Sequence, residues 1–233
     1  MGMTAARASF ALLLAGFPDP LIQKGFDHFY NLEYDEAIAA FRQYVARHPQ
    51  EARGYNHLAQ SILYREMYRT GALETELVSG SNPFLRRPKM NPSPQDQKEF
   101  EDAIQRAMEL SRARLRENPR DTQALYTLGV AHGLRANYNF LVRKAWMDAL
   151  RDVTQSRKLH NRVTELDPSF VDARLVQGVH EYVVGSLPWH WRTVGFLIGF
   201  RGNKQTGIKI LREVAEKGDV NKYDAKVLLC AIY

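Results

Sequence analysis

Histidines are the side chains of this chain best suited to acid–base or metal chemistry, and seven are present: His28, His48, His57, His132, His160, His180 and His190. No two of them lie four residues apart, as a metal-binding pair on one helix face would, and the motif HExxH does not occur. His132 and His180 fall within predicted helices, where a packed, hydrogen-bonded imidazole is the usual role. The sequence therefore predicts no metal site.

Nucleophile and phosphate-binding motifs are equally scarce. The single cysteine, Cys230, excludes an internal disulfide and a cysteine-based zinc site. The sequence contains no P-loop and no G-x-S-x-G motif. The stretch GFRGNKQTG at 199–207 combines glycines with a lysine, but no predicted strand precedes it, as a phosphate loop requires. We expect a non-enzymatic protein without a cofactor.

The charge balance is moderately basic, with 32 Lys and Arg against 26 Asp and Glu and a formal net charge of +6. The densest basic groups lie at 86–89 and 112–120, and acidic residues flank the second group. A nucleic-acid interface would need a basic patch interleaved with stacking aromatic side chains, which this pattern lacks. We therefore expect no nucleic-acid partner.

The N-terminal residues 1–17 have the layout of a secretory signal. Arg7 precedes the apolar run 8–17, and the helix breakers Pro18 and Pro20 follow it. The alternative is a first helix whose apolar face docks on the following residues. The pattern favours an exported or periplasmic protein, with a cytoplasmic one as the alternative. No later segment reaches the roughly 18 apolar residues of a spanning helix, so we expect no transmembrane span in the mature chain.

An internal repeat organises the chain from residue 18 onward. In residues 21–49, the residues Gly25, Ala37, Phe41 and Pro49 follow the spacing of the tetratricopeptide repeat, which they resemble. The small residues let two helices, A and B, approach closely. Phe41 fills the space towards the next pair, and Pro49 ends helix B.

The same pattern predicts further A helices that contain residues 55–64, 125–134, 171–182 and 224–233. Prolines close the first three repeats at 49, 119 and 168, separated by 70 and 49 residues rather than the repeat's roughly 34. The second and third repeats therefore carry insertions between helices A and B: a proline- and glycine-rich loop at 70–94, then lengthened helices. We predict an all-α tetratricopeptide-type solenoid over 18–233, truncated in its fifth repeat, whose Val227, Leu228 and Ile232 would face an absent helix B.

The resemblance implies a function, because stacked helix pairs form a superhelix whose inner surface is lined by the A helices and binds proteins or peptides. Counted from the matched positions, the partner-binding side chains are Phe26, Phe29, Asn56, Gln60, Tyr64, Tyr126 and Tyr182. Aromatic rings and amides suit an extended peptide. The alternative is that these aromatics pack into the insertions and leave no open groove.

The stretch GSLPWHWRTVGFLIGFRGN at 185–203 lies between helices A and B of the fourth repeat. Its roughly 13-residue apolar helix, 188–200, is too short to cross a bilayer. We interpret it as a buried packing helix. The alternatives are a ligand pocket, or a lipid or partner surface formed by Trp189, Trp191, Phe196 and Phe200.

Residues 180–211 resemble a segment of the eukaryotic outer-mitochondrial-membrane and inclusion-clearance tetratricopeptide proteins, through Ser186, Leu187, Pro188, Gly199, Phe200, Gly202 and Gly207. That resemblance implies a non-enzymatic adaptor near lipid, so membrane-surface contact through 188–200 is the alternative function. The chain as a whole is similar to uncharacterised bacterial tetratricopeptide proteins, many of which are exported.

Overall fold

The computed structural model describes residues 19–73, 89–189 and 201–233. Predictions for the signal-like segment, for most of the insertion at 70–94 and for Trp191, Phe196 and Phe200 fall outside these residues. The described residues form helices without strands, as predicted. The α-helices are α1 Pro20–Tyr30, α2 Tyr34–Arg47, α3 Ala52–Arg69, α4 Pro94–Glu117, α5 Thr122–Tyr138, α6 Trp146–Leu166, α7 Arg174–Ser186, α8 Lys204–Lys217 and α9 Lys222–Ile232.

Four helices begin at a polar side chain that accepts a hydrogen bond from the first-turn backbone. Asp19, Ser93, Asp121 and Asn203 fill this position at α1, α4, α5 and α8. The caps satisfy amides that have no partner within the helix. Pro20 and Pro94 follow two of these caps, where a missing N–H costs nothing.

Consecutive helices pack against one another along the chain, and α3 also packs on α5. The close approach within the first pair depends on Gly25, because a Cβ atom at this position would lie 2.5 Å from the Phe41 ring. Gly129 of α5 meets His160 of α6 in the same way, at 2.6 Å. In both places a small residue on one helix accepts a large side chain from the neighbouring helix.

The insertion predicted in the third repeat consists of lengthened helices, as expected, with one feature that the sequence did not indicate. α5 runs into a π-helix, Asn139–Arg143, and Lys144 then takes a left-handed conformation with φ 54° before α6 begins. The backbone N–H of Met90 donates to the carbonyl of Leu141 at 3.0 Å, and Met90 is buried. The π-helix therefore holds the end of the preceding insertion.

The fourth A helix was predicted from residue 171, but its first turn is a 3₁₀ helix, Val171–Ala173, and α7 begins at Arg174. The cause is Asp172, whose carboxylate is used by the loop between α8 and α9, as described below. α8 begins at Lys204, directly after the stretch at 185–203, where helix B of the fourth repeat was predicted to follow.

The helix α9 returns towards the start of the fold. The ring of Tyr223 lies 5.2 Å from that of Tyr30 at the end of α1. Val227 on the outer side of α9 is 63% exposed, whereas Leu228 and Ile232 are partly buried. The succession of helices therefore curves until its two ends touch. Among the described helices, none is both long enough and apolar enough to cross a membrane.

Candidate functional site

Side chains from α1, α3 and α5 converge on the first turn of α9. Tyr30, Tyr64 and Tyr126 come from the three helices, and Asn221 and Asp224 come from α9 and the residue before it; we call these five residues the tyrosine cluster. The Asn221 amide donates to the Tyr126 hydroxyl at 2.9 Å across 95 residues of sequence. The Tyr30 hydroxyl hydrogen-bonds with the Asp224 carboxylate. All five residues are partly exposed.

Buried aromatic side chains fix the rings of the cluster. Phe29 is 4% exposed, and its ring lies 5.3 Å from that of Tyr30 and 5.1 Å from that of Tyr64. Tyr126 is held between His160, at 5.4 Å, and Phe170, at 4.9 Å. The rings therefore lie on a packed layer that restricts their rotamers, which lowers the entropic cost of binding a partner.

The carboxylate of Asp172 positions α9. It accepts hydrogen bonds from the backbone N–H groups of Asp219, Val220 and Asn221 at 2.9–3.3 Å. The carbonyl of Asp172 accepts a further bond from the Asn221 amide at 3.0 Å. The 3₁₀ turn at the start of the fourth A helix aims this residue at the loop before α9, which explains the late start of α7.

The cluster has a negative electrostatic character. Burial raises the pKa of Asp224 from 3.8 to about 6; the hydrogen bond from Tyr30 opposes the shift, and the charge of Asp172 adds to it. Burial and the Asp224 charge also raise the pKa of Tyr30 and of Tyr64. The tyrosines therefore stay protonated at neutral pH, and the pKa of Asp224 is about 6 rather than about 4.

The structure brings five of the seven predicted partner-binding residues to this face. Tyr64 and Tyr126 belong to the cluster, and Phe29 packs against Tyr64. The ring of Phe26 lies 6.2 Å from that of Tyr30 and 4.7 Å from that of His57. Gln60 is partly exposed one turn before Tyr64, and it hydrogen-bonds with His57.

The other predicted residues lie elsewhere. Asn56 is 2% exposed, and its amide donates to the carbonyl of Thr127 at 2.8 Å, so it joins α3 to α5. Tyr182 is 8% exposed under the Lys204 ammonium group, 5.6 Å from the ring centroid, in the contact between α7 and α8. Trp189, from the predicted lipid or partner surface, is 79% exposed.

Sequence reasoning missed Tyr30, Asn221 and Asp224. Tyr30 lies four residues after Phe26 on the same helix face, so helical spacing alone could have found it. Asn221 and Asp224 join the cluster only because the helices curve back to α1, and no local pattern encodes that return.

A second polar cluster explains His132. Its Nδ1 lies 2.8 Å from the Asp152 carboxylate, which also accepts two bonds from Arg135 and one from Asn139. Burial raises the pKa of Asp152, but the bonds from Arg135 and His132 outweigh it, so the pKa is lowered. The arrangement joins α5, the π-helix and α6, and it confirms the packed, hydrogen-bonded role expected for His132.

A cavity of about 380 Å³ lies between α4 and α5. Its floor is apolar, with Phe100, Met108 and Tyr138 buried. Arg143 on its rim pairs with Glu101 at 2.7 Å, and Arg135 pairs with Asp152. The charges on its walls are thus largely used within the protein.

No protein-family model matches the chain, and no curated protein is significantly similar to it. Within the described residues, no three histidine, cysteine, aspartate or glutamate side chains lie together as a metal site would require.

Proposed function

We propose that the chain is a tetratricopeptide-type solenoid that binds a peptide or protein, without catalysis, on the concave face formed by α1, α3 and α5. The observation that carries this proposal is the tyrosine cluster. Residues far apart in sequence converge there, the rings pack on buried aromatic side chains, and each residue keeps part of its surface exposed.

The composition of the face suits an extended partner. Tyrosine contributes a large contact area with few rotatable bonds, and its hydroxyl pairs with a peptide backbone. Gln60 adds an amide beside the rings. The exposed part of Tyr223, 48% of its surface, extends the same aromatic surface onto α9. We infer that α9 closes one side of the binding face and that the partner lies along the A helices.

The test starts from a phage-displayed library of random 12-residue peptides selected on the purified chain. Amide hydrogen exchange with and without a selected peptide then maps where it binds. We expect slower exchange in α1, α3, α5 and the first turn of α9. Protection confined to α2, α4 or α6 would contradict the proposal.

The exposed indole of Trp189 favours a second candidate, a membrane-surface adaptor acting through 188–200. Tryptophan has an apolar body and a polar N–H, which suits it to the lipid–water boundary. Co-sedimentation with phosphatidylcholine–phosphatidylserine vesicles tests this function. Trp189→Ala should reduce the bound fraction, while Trp146→Ala, which removes a 44% exposed indole elsewhere, should not. Equal binding by all three proteins would contradict it.

A further inference from the structure

The tyrosine cluster holds one carboxylate, Asp224, and a second, Asp172, bonds to Asn221 beside it, in a protein whose net charge is +6. In the described residues, neither carboxylate forms an ion pair with a lysine or arginine, although most other buried or half-buried acids do. Asp172 is saturated by backbone N–H groups. Asp224 hydrogen-bonds with Tyr30 and keeps acceptor capacity, because a carboxylate has about four lone-pair sites.

This arrangement is electrostatically unfavourable as it stands. Burial and the neighbouring carboxylate both raise the pKa of Asp224, which means that its charge is poorly stabilised by the protein alone. A positive group placed between the tyrosines would relieve both effects. Sites that keep a charge at such a cost are frequently functional ones.

The surrounding rings indicate what kind of cation fits. Tyrosine faces attract ammonium and guanidinium groups through their quadrupole. The rim of the cluster already shows this preference, because the ammonium groups of Lys222 and Lys226 lie 5.2 and 5.4 Å from the ring centroid of Tyr223. An inorganic metal ion is disfavoured, since no third ligating side chain joins the two aspartates in the described residues.

We infer that the tyrosine cluster receives a positively charged side chain, a lysine or an arginine, from the bound peptide. This inference rests on the proposed function and specifies its partner: a basic rather than an acidic peptide. Asp224 would accept hydrogen bonds from the incoming cation. The hydroxyls of Tyr64 and Tyr126 would complete its shell, and Asp172 would add a fixed negative charge from the side.

Three fluorescein-labelled pools of 11-residue peptides test the inference by fluorescence anisotropy. Each pool has a fixed central residue, lysine, norleucine or glutamate, and an equal mixture of uncharged residues elsewhere. Norleucine keeps the linear side chain without the charge. We expect the lysine pool to bind at least tenfold more tightly than either of the others.

Matched variants locate the effect. Asp224→Asn keeps the shape and the contact with Tyr30, and it should bring the affinity for the lysine pool down to that for the norleucine pool. Asp219→Asn removes an exposed carboxylate five residues earlier and should change the affinity less than twofold.

The two proposals fail differently. Equal binding of the lysine and norleucine pools, both lost in Tyr64→Ala, would overturn this inference and leave the peptide-binding face intact. An unchanged preference for lysine in Asp224→Asn would also overturn it. If no pool binds at any concentration up to about 1 mM, the proposed function fails and this inference fails with it.

Discussion

Asp224 is an acid whose folded environment disfavours its charge, and this has a consequence for stability. Its pKa is about 6 in the folded chain and 3.8 ordinarily, so the folded state holds the proton more tightly. The stabilisation from the protonated carboxyl is fully present below pH 4 and is lost as the pH rises through 6. Asp224→Asn cannot ionise, so we expect it to exceed the original chain in unfolding free energy by about 2 kcal/mol at pH 7.5.

Urea unfolding at pH 4.5 and pH 7.5 checks this prediction. The gain from Asp224→Asn should shrink to well under half at the lower pH, while Asp219→Asn should show no comparable pH dependence. A gain of the same size at both pH values would refute the assignment of the raised pKa to Asp224.

Asp152 illustrates the opposite case, an acid that its neighbours stabilise. Replacing it with alanine leaves His132, Arg135 and Asn139 without their shared acceptor in a buried site. We expect Asp152→Ala to lower the unfolding free energy by about 3 kcal/mol. Asp148→Ala is the control, because Asp148 lies one turn earlier on α6 and its pair with Arg151 is exposed. Chemical denaturation should show that the control loses less than about 0.5 kcal/mol of unfolding free energy. Equal losses in the two variants would show that the hydrogen bonds around Asp152 do not act as a network.

At the scale of elements, close approach between helices depends on glycines that meet backbone atoms. A Cβ atom at Gly207 would lie 2.4 Å from the backbone nitrogen of Tyr182 and 2.8 Å from the carbonyl of Gly178. Backbone cannot move aside as a side chain can, so Gly207→Ala should push α8 away from α7. We expect the unfolding free energy to fall by about 2 kcal/mol.

Thermal unfolding of Gly207→Ala and Gly133→Ala measures this effect. Gly133 is also inside a helix, but its added Cβ would meet only the Ser156 hydroxyl, at 3.3 Å. The unfolding free energy of that variant should stay within about 1 kcal/mol of that of the original chain, because the higher helix propensity of alanine offsets the tight contact. A Gly207→Ala protein as stable as Gly133→Ala would argue against tight packing of α7 on α8.

Local sequence patterns predicted these elements well, because each depends on short-range spacing. The positions of the helices follow from apolar periodicity, from caps and from the prolines that come after them. The π-helix Asn139–Arg143 was not predictable, since an extra residue in a helical turn leaves no mark in composition. The 3₁₀ turn at Val171–Ala173 was missed because it serves a loop almost 50 residues later.

At the scale of the molecule, the main feature is the return of α9 to α1, which completes the candidate site. Two of its five residues, Tyr64 and Tyr126, were predicted from the spacing of the sequence, and so was Phe29 beneath them. Asn221, Asp224 and the role of Asp172 were not, because they depend on the accumulated curvature of eight helices. For the same reason, Asn56 and Tyr182 were placed on the binding face although they join helices.

The hydrogen bonds that the Asp172 carboxylate accepts from the loop before α9 can be tested for their part in holding α9 near α1. Asp172→Ala removes the acceptor of backbone N–H groups from Asp219, Val220 and Asn221. We expect amide exchange to accelerate at least tenfold in residues 219–226, with smaller increases at the end of α1. Asp167→Ala is the control, since Asp167 accepts only locally, from Ser169. Unchanged exchange in 219–226 would mean that the hydrogen bonds to Asp172 do not hold α9 in place.

The central claim, a peptide-binding face lined by tyrosines, is tested most directly by calorimetric titration of a selected peptide into two tyrosine variants. Tyr64 and Tyr55 lie nine residues apart on α3, which places them on opposite sides of the helix. Tyr64→Ala should weaken binding at least tenfold, and Tyr55→Ala should weaken it less than twofold, with both proteins folded by circular dichroism. Equal affinities for the two variants would contradict the account.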